Sequence, residues 1–326
     1  MELNSPLAMI VRPFIRLLTY LTLATLISCQ VTSHQAKEEW KTSPSQEFPS
    51  LRQTTTKIEF KIVKAADWEV PLSGLLDLND PKAKGQIDRP EPISIYFYVI
   101  KHPKFGTYLI DSGVGKSFRN GNQERKVSSI VASQMNLEKL KIFHTTKEYL
   151  LENKIELKGV FFTHLHLDHV LGAYEIDSKI PFYVGPSEVT SKQFINLFVQ
   201  GSTNNLLGEE PNLIQLKLSE EIGKISYLDF FGDESFFVIS VPGHTAGSLA
   251  FYVQAKDGGH LVLGDSCHTQ WGWQNEVIPG SFTADPDLNR KSLRYLIEWT
   301  NQFKPKFVYP GHQERLPGLA FETWKR

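Results

Sequence analysis

Apolar and polar positions alternate from about residue 57 onward, in short runs separated by turn residues. Ile58, Phe60 and Ile62 alternate with charged residues, which is the pattern of a strand with one buried face. Longer apolar runs indicate strands that are buried on both faces. The pattern predicts strands at residues 93–100, 108–110, 158–163, 180–184, 222–228, 235–241, 249–254, 260–263 and 306–309.

Helical spacing of apolar residues appears between these strands. Residues 127–153 and 187–198 carry apolar side chains at that spacing, and residues 201–212 have the composition of a loop. The best-marked helix begins at Asp285-Pro286, an N-cap followed by proline in the first turn, and continues to Thr300. Two successive groups of strands, each with helices, predict an α/β fold in four layers. We expect an αββα sandwich in which two mixed sheets pack face to face.

The first 56 residues have a different composition. Arg12 and Arg16 precede an apolar run at residues 17–27, which is the pattern of a secretory signal peptide. The run ends in Leu26-Ile27-Ser28-Cys29, which resembles the bacterial lipobox, where the cysteine becomes the lipidated first residue of the mature protein. The chain is therefore predicted to comprise a lipoprotein signal peptide at 1–29, a flexible linker at 30–56 and a folded domain at 57–326.

Lipid on Cys29 would hold the protein on a membrane of the cell envelope, facing the periplasm or the outer surface. An uncleaved N-terminal anchor is the alternative, although the apolar run is short for a membrane span of about 20 residues. The second cysteine is Cys267, so acylation of Cys29 leaves no partner for an internal disulfide.

Composition narrows the class of partner. The chain has 326 residues, of which 41% are hydrophobic and 22% charged, enough to bury a sizeable core. Its formal net charge of -1 gives no attraction for nucleic acid. A small-molecule substrate fits this composition better than a polyanion.

Three histidines and one aspartate fall within six residues at His164, His166, Asp168 and His169, directly after the predicted strand at 158–163. Residues two apart in extended chain point the same way, so His164 and His166 can hold one ion. The adjacent Asp168 and His169 point apart and can reach a second ion. Imidazole and carboxylate suit Zn²⁺, and Mn²⁺ or Fe²⁺ accept the same set. The alternative is a loop with surface histidines.

This stretch resembles the His-x-His-x-Asp-His signature of the metallo-β-lactamase superfamily. Further motifs similar to those of the family follow in the expected order: Gly243-His244-Thr245-Ala246-Gly247, then Gly264-Asp265, then Gly311-His312. The resemblance covers roughly residues 57–313 and implies two metal ions, expected to be Zn²⁺. By this resemblance His164, His166 and His244 hold one ion, Asp168, His169 and His312 hold the other, and Asp265 bridges them.

The resemblance also implies a hydrolase. Two ions about 3.5 to 4 Å apart can bring the pKa of a bound water to about 7, which supplies hydroxide for attack on a carbonyl carbon. Asp168 is the residue expected to shuttle a proton. No cysteine nucleophile is needed, so Cys267 is expected to be dispensable.

Within the superfamily, the chain looks most similar to the lactonases that open N-acyl homoserine lactones. The predicted helices before the metal loop, the aspartate bridge and an apolar loop after Asp265 all fit that group. Many zinc β-lactamases use a cysteine where this chain has Asp265, and nuclease members insert a further domain. Glyoxalase II-type thioesterases carry a helical domain after the last histidine, where 14 residues follow His312 here. The predicted reaction is hydrolysis of a lactone or related ester; β-lactamase-like amide hydrolysis and a non-catalytic metal-binding protein are the alternatives.

Three assignments depend on surroundings that the sequence does not reveal. Lactonases of this group usually carry a tyrosine three positions after the bridging aspartate, and this chain has His268, which either donates a hydrogen bond to substrate or lies on the surface. Asp111 either orients a metal-binding histidine or caps a turn. His260 lies at a predicted turn and is expected on the surface. The apolar loop after Asp265 is a candidate substrate wall that contains Trp271, Trp273, Val277, Ile278 and Phe282.

Overall fold

Two β-sheets form the centre of the structure, a computed structural model that describes residues 29–40, 56–121, 126–219 and 226–317. The predicted signal peptide lies outside these ranges except for Cys29. The strands in chain order are β1 (Cys29–Gln30), β2 (Lys37–Trp40), β3 (Glu59–Pro71), β4 (Pro90–His102), β5 (Gly106–Ile110), β6 (Lys141–Ile142), β7 (Leu157–Phe161), β8 (Phe182–Val184), β9 (Lys192–Gln193), β10 (Leu213–Lys217), β11 (Tyr227–Asp229), β12 (Phe236–Ser240), β13 (Leu249–Ala255), β14 (Gly258–Val262), β15 (Phe307–Tyr309) and β16 (Leu316–Pro317).

The α-helices are fewer and mostly short. Turns of 3₁₀ helix lie at Pro81–Ala83, Lys116–Gly121, Leu137–Lys139, Ala173–Glu175 and Gly264–Ser266. Among the described residues no helix has the length and apolar character needed to cross a bilayer. The α-helices are α1 (Leu72–Leu75), α2 (Ser129–Gln134), α3 (Thr146–Glu152), α4 (Leu167–Val170), α5 (Asn196–Leu207), α6 (Gln270–Asn275) and α7 (Pro286–Phe303).

The first sheet has the strand order β2-β10-β8-β7-β5-β4-β3-β6, and the second has the order β11-β12-β13-β14-β15-β16. Both are mixed. In the first, β4 pairs antiparallel with β5, and β5, β7, β8, β10 and β2 then run parallel. In the second, β14 and β15 are parallel and the other pairs are antiparallel.

The two sheets pack face to face through a shared apolar core. Phe161 of the first sheet lies 4.9 Å, ring centroid to centroid, from Phe236 of the second, and Phe236 stacks on Phe251 at 5.7 Å. On β12 the neighbouring Phe237 and Ile239 point the other way, because side chains alternate along a strand. That outer face is covered by α7, and the outer face of the first sheet is covered by other helices. The predicted four-layer αββα sandwich is confirmed.

Helix α7 follows its sequence signals closely. The carboxylate of Asp285 accepts the backbone N–H of Leu288 at 2.9 Å, so it caps the first turn as predicted, and Pro286 lies in that turn. Leu293, Leu296 and Phe303 are buried against the second sheet. The helix ends at Phe303, and the next residue, Lys304, has a left-handed φ of 47°.

The helix predicted at 187–198 is wrong in its position. Ser187 has a left-handed φ of 65°, and the segment instead forms a turn followed by the short strand β9. The helix that does form, α5, begins at Asn196 and extends through most of the predicted loop at 201–212. Apolar spacing identified a helix here, but its start is set by tertiary contacts of residues 187–193.

The predicted flexible linker at 30–56 differs from the structure in its first part. Strand β1 pairs with β9, and β2 adds a parallel strand to β10 at the edge of the first sheet. Val31 and Thr32 are buried. The polar composition of the segment concealed this because its contacts are mostly backbone pairing and side-chain hydrogen bonds. Residues 41–55 lie outside the described ranges.

Candidate metal centre

Four chain segments meet at one edge of the sandwich, each beyond the end of a strand. The Thr163–His169 segment follows β7, His244 follows β12, Asp265 follows β14 and His312 follows β15. Because β12, β14 and β15 run in the same direction, their carboxyl ends lie at the same edge of the second sheet. All seven predicted ligands come together at that edge.

The first group consists of His164, His166 and His244, whose candidate ligand atoms all lie within 4.8 Å of one another. His244 Nε2 lies 2.9 Å from His166 Nδ1. His164 and His244 are buried, and His166 is half-buried. The pairing of His164 with His166 expected from extended chain is the arrangement found.

The second group consists of Asp168, His169, Asp265 and His312, again within 4.8 Å. Asp265 Oδ2 lies 3.3 Å from His169 Nε2 and 3.2 Å from His312 Nε2. The same oxygen lies 3.5 Å from His244 Nε2 and 3.8 Å from His164 Nε2 in the first group. Asp265 therefore stands between the two groups, as its assignment as the bridge requires.

The polar atoms left without partners support a bound cation here. His164 Nε2, His169 Nε2 and Asp265 Oδ1 are buried and make no hydrogen bond within the part of the chain that is described. Buried polar atoms without partners are rare, and a missing ion is one of their ordinary explanations. Imidazole nitrogens and carboxylate oxygens are the ligands that zinc and similar ions accept, so the residues fit such a group.

Burial keeps the first group neutral. It lowers the pKa of His166 to about 4 and the pKa values of His164 and His244 well below the usual range, so at neutral pH each imidazole has a lone pair for a metal. In the second group burial opposes the charged form, but Asp265 and neighbouring carboxylates raise the pKa values of His169 and His312. A metal would have to displace protons from these two.

Asp111 is not one of the candidate ligands, but it contacts one of them. It has a left-handed φ of 58°, its Oδ2 lies 2.9 Å from His169 Nδ1, and its Oδ1 accepts the backbone N–H of Thr163 at 2.8 Å. The bond to Nδ1 turns His169 Nε2 toward Asp265. Of the two interpretations of Asp111, the structure therefore supports orientation of a metal-binding histidine. His312 is held similarly, because its Nδ1 lies 3.2 Å from the carbonyl oxygen of Ser94.

Helix α7 positions the loop of His244. Gly243 has a φ of 137°, and a Cβ there would lie 2.2 Å from the backbone nitrogen of Asn289, so the close approach requires glycine. The N–H of Asp285 donates to the carbonyl of Gly243 at 2.8 Å, and Ser292 Oγ donates to that of Pro242 at 2.7 Å. The loop is thus fixed by the first turns of a long helix.

His268 is buried, with its Nε2 2.8 Å from Asp265 Oδ2, so the surface interpretation is wrong. Its Nδ1 is one of the buried atoms without a hydrogen-bond partner in the described ranges. His268 can join His244 and Asp265 as a further metal-capable group. His260 is also buried, between Tyr309 Oη at 2.6 Å and Asp257 Oδ1 at 2.8 Å, and its predicted surface position is wrong.

Sequence reasoning missed Glu188. Its buried carboxylate accepts the N–H groups of Leu165 at 2.7 Å and Gly247 at 3.0 Å, and the hydroxyl of Thr245 at 2.6 Å. It therefore ties the His164–His169 loop to the His244 loop. No motif marks it, because its partners lie 23 to 59 residues away in the chain.

The predicted substrate wall after Asp265 is largely core. Trp273, Val277 and Ile278 are buried in the apolar clusters, because α6 turns the loop inward, while Phe282 remains half exposed. A cavity beside His166 has other walls, among them Val31, Gln193 and Asn196. The N-terminal segment and the start of α5 therefore lie near His166 of the first metal group.

The family model of the metallo-beta-lactamase superfamily matches residues 89–312, which contain every residue of both metal groups. The chain belongs to the metallo-beta-lactamase superfamily. The resemblance in its four motifs is confirmed by this match.

The relatives of this chain are named for several different activities. A hydroxyacylglutathione hydrolase of Shewanella loihica is 27% identical over 53% of this chain and 55% of its own length. Gamma-lactamase FDB1 of Fusarium pseudograminearum is 24% identical over 59% of this chain and 49% of its own length. The chain spans about half the length of these two relatives, and 14% of a cytochrome P450 monooxygenase of Penicillium roqueforti that it also matches.

Solved structures of two quorum-quenching lactonases share the fold. An N-acyl homoserine lactone lactonase superposes with a TM-score of 0.57 at 17% identity, covering 79% of this chain and 92% of the other. A dizinc quorum-quenching lactonase superposes with a TM-score of 0.52 at 13% identity, covering 80% and 92%. At these sequence identities the similarity establishes a shared fold and nothing more.

Proposed function

We propose that this superfamily member is a hydrolase that uses two metal ions to open lactones or related esters. The observation that carries the proposal is the position of Asp265, whose Oδ2 lies within 3.8 Å of nitrogen atoms from both histidine groups. One shared carboxylate and six further ligand-capable side chains are suited to a two-ion site.

The two ions, once bound, would supply Lewis acidity and a water of lowered pKa. Side chains of the protein would supply the proton transfer and the hydrogen bond to substrate. Asp168 Oδ2 lies 3.3 Å from His312 Nε2, and its side chain is 14% exposed against 4% for Asp265. It is the more exposed of these two carboxylates, which suits it to accept and return a proton. The role first considered for His268, donation of a hydrogen bond to a substrate oxygen, would fall to its Nδ1, because its Nε2 lies 2.8 Å from Asp265 Oδ2.

Lactones and esters are the favoured substrates because the chain has an aspartate at the proposed bridging position and shares its fold with lactonases. Amide hydrolysis is the second candidate, favoured by the similarity to a gamma-lactamase over 218 residues. The non-catalytic alternative is weakened because every ligand position is filled and buried or half-buried.

A substrate panel on metal-replete protein tests the proposal. Acyl homoserine lactones, simple esters, a thioester and β- and γ-lactams would be assayed after metal analysis of the same preparation. We expect about two ions per chain and fastest turnover of lactones or esters. Fastest turnover of a lactam would favour the amidase, and less than about one ion per chain with no turnover would favour the non-catalytic protein.

The roles of Asp168 and Cys267 differ enough to be separated by substitution. Asp168→Asn should lower kcat about a hundred-fold or more, because it removes the proton acceptor and weakens a ligand. Cys267→Ser should leave kcat within a few-fold, because Cys267 is buried, its Sγ donates to the carbonyl of Thr269, and burial raises its thiol pKa to about 12. Steady-state kinetics on both variants, with metal content measured, makes the comparison; equal losses would contradict these roles.

We also propose that Cys29 carries lipid that holds the enzyme on the cell envelope. The support is the lipobox-like Leu26-Ile27-Ser28-Cys29 and the apolar run before it. Cells fed a labelled fatty acid should incorporate label into the protein, and Cys29→Ala should abolish it. Incorporation that survives the substitution would overturn the proposal.

A further inference from the structure

An exposed apolar surface lies at the start of α5. Phe194, Ile195, Leu197 and Phe198 are exposed to 61%, 54%, 37% and 60%. Phe194 and Phe198 form one edge-to-face pair with ring centroids 5.6 Å apart. Four large apolar side chains grouped in this way mark a contact surface rather than scattered surface residues. We refer to these four residues as the apolar patch.

The N-terminal segment runs along the same helix and ends at the patch. Three side-chain amides, spaced four residues apart on α5, hold this segment. Asn204 Oδ1 accepts a hydrogen bond from Thr32 Oγ1 at 2.6 Å. Gln200 Nε2 donates to the carbonyl of Gln30 at 2.8 Å, and Asn196 Nδ2 donates to the carbonyl of Cys29 at 3.0 Å. Traced backward from Ser33 to Cys29, the chain therefore moves toward the start of α5.

Strand pairing fixes this end of the segment beside the patch. Cys29 is opposite Gln193, and Gln30 is opposite Lys192. Gln193 is followed directly by Phe194, so Cys29 lies beside the first residue of the patch. Whatever continues the chain before Cys29, or is attached to Cys29, starts at this surface.

The proposed lipid on Cys29 would be apolar, and so is the stretch that precedes Cys29 in a chain whose signal peptide is not removed. The run at residues 17–27 contains no charged residue and ends two positions before Cys29. Residues 191–207, which include the patch, contain one lysine and no aspartate or glutamate. Apolar side chains with a neighbouring lysine in one stretch of chain suit the interface of a bilayer with anionic headgroups.

We propose that the apolar patch is a membrane-contact surface, in which Phe194, Ile195, Leu197 and Phe198 enter the headgroup region of a lipid bilayer. This contact would orient the protein as well as tether it. The neighbouring residues Gln193 and Asn196 line the cavity beside His166, so the membrane would face the rim of that cavity. The inference does not depend on which bond the site cleaves.

The test places an environment-sensitive fluorophore on the patch of the full chain. Cys29→Ser removes both the proposed lipid and a competing thiol, and Cys267 is fully buried. Leu197→Cys then carries the dye on the patch, and Leu151→Cys, a residue 68% exposed on α3, carries it elsewhere as a matched control. Each protein is mixed with vesicles of phosphatidylcholine and phosphatidylglycerol, with and without brominated acyl chains.

We expect a blue shift and quenching by brominated lipid for the dye at position 197, and neither at position 151. Adding Phe194→Gln and Phe198→Gln should reduce the vesicle-induced shift several-fold. An unchanged spectrum at position 197 would overturn the proposal. So would a blue shift that depends on protein concentration without vesicles, which would mean a second copy covers the patch. A shift already present at every concentration without vesicles would mean that the chain covers its own patch, which also overturns it.

Discussion

Asp265→Asn should remove most of the bound metal and lower turnover by at least about a hundred-fold. Asp265 Oδ2 lies between 2.8 and 3.8 Å from nitrogen atoms of five histidines, so one charge serves both metal groups. Ligand-orienting residues alone are worth about 10- to 100-fold in metal affinity or activity, and a bridging ligand should exceed them. Metal content by elemental analysis and kcat/KM on the best substrate measure the effect.

The matched control is Asp257→Asn. Asp257 also hydrogen-bonds a histidine, His260, at 2.8 Å, but its side chain is 53% exposed and it lies outside both metal groups. It should keep full metal content and activity. An Asp265→Asn protein that retains both metals and normal turnover would be incompatible with the bridging role.

Glu188→Ala should lower the free energy of unfolding by about 2–5 kcal/mol and weaken metal binding. The substitution leaves the buried N–H groups of Leu165 and Gly247 without their acceptor, and each buried unsatisfied group costs about 1–3 kcal/mol. Both N–H groups belong to loops that carry histidines, so loosening them should disturb the first metal group. Chemical denaturation and metal titration measure the two effects.

A graded series separates the hydrogen bonds of Glu188 from its charge. Glu188→Gln keeps one acceptor oxygen and should lose less stability than Glu188→Ala. Glu210→Ala changes an exposed loop residue and should have little effect. Equal stability of all four proteins would mean that the carboxylate does not hold the two loops.

The sandwich and the convergence of the candidate ligands were predictable because their signals are local. Strands showed as apolar runs, and the ligands followed these strands in short motifs such as Gly311-His312. The two sheets pack through faces whose side chains alternate, so the four layers followed from the pattern. The first and last residues of helices and strands were harder to predict from the sequence. Helix α5 starts later than predicted, because contacts of Ser187 and Glu188 with distant segments decide where that helix begins.

The residues that support the candidate ligands were harder to predict from the sequence. Glu188 has no motif, and His260 was assigned to the surface because its turn is polar in sequence while its ring packs beside Tyr309. The apolar loop after Asp265 had the composition of a substrate wall, but Trp273 and Ile278 lie in the core. Hydrophobicity alone does not distinguish a pocket lining from core packing.

Strand β2 has a consequence for how the chain can be shortened. It forms the outer edge of the first sheet beside β10, and its residues Lys37, Glu38 and Glu39 place charges there. A chain cut to begin at residue 57 would leave the backbone groups of β10, with its apolar Leu213, Ile214 and Leu216, open to pairing with other molecules. Such a fragment should self-associate even if its metal ligands are intact, so solubility and oligomeric state would depend on a stretch that appears dispensable in the sequence.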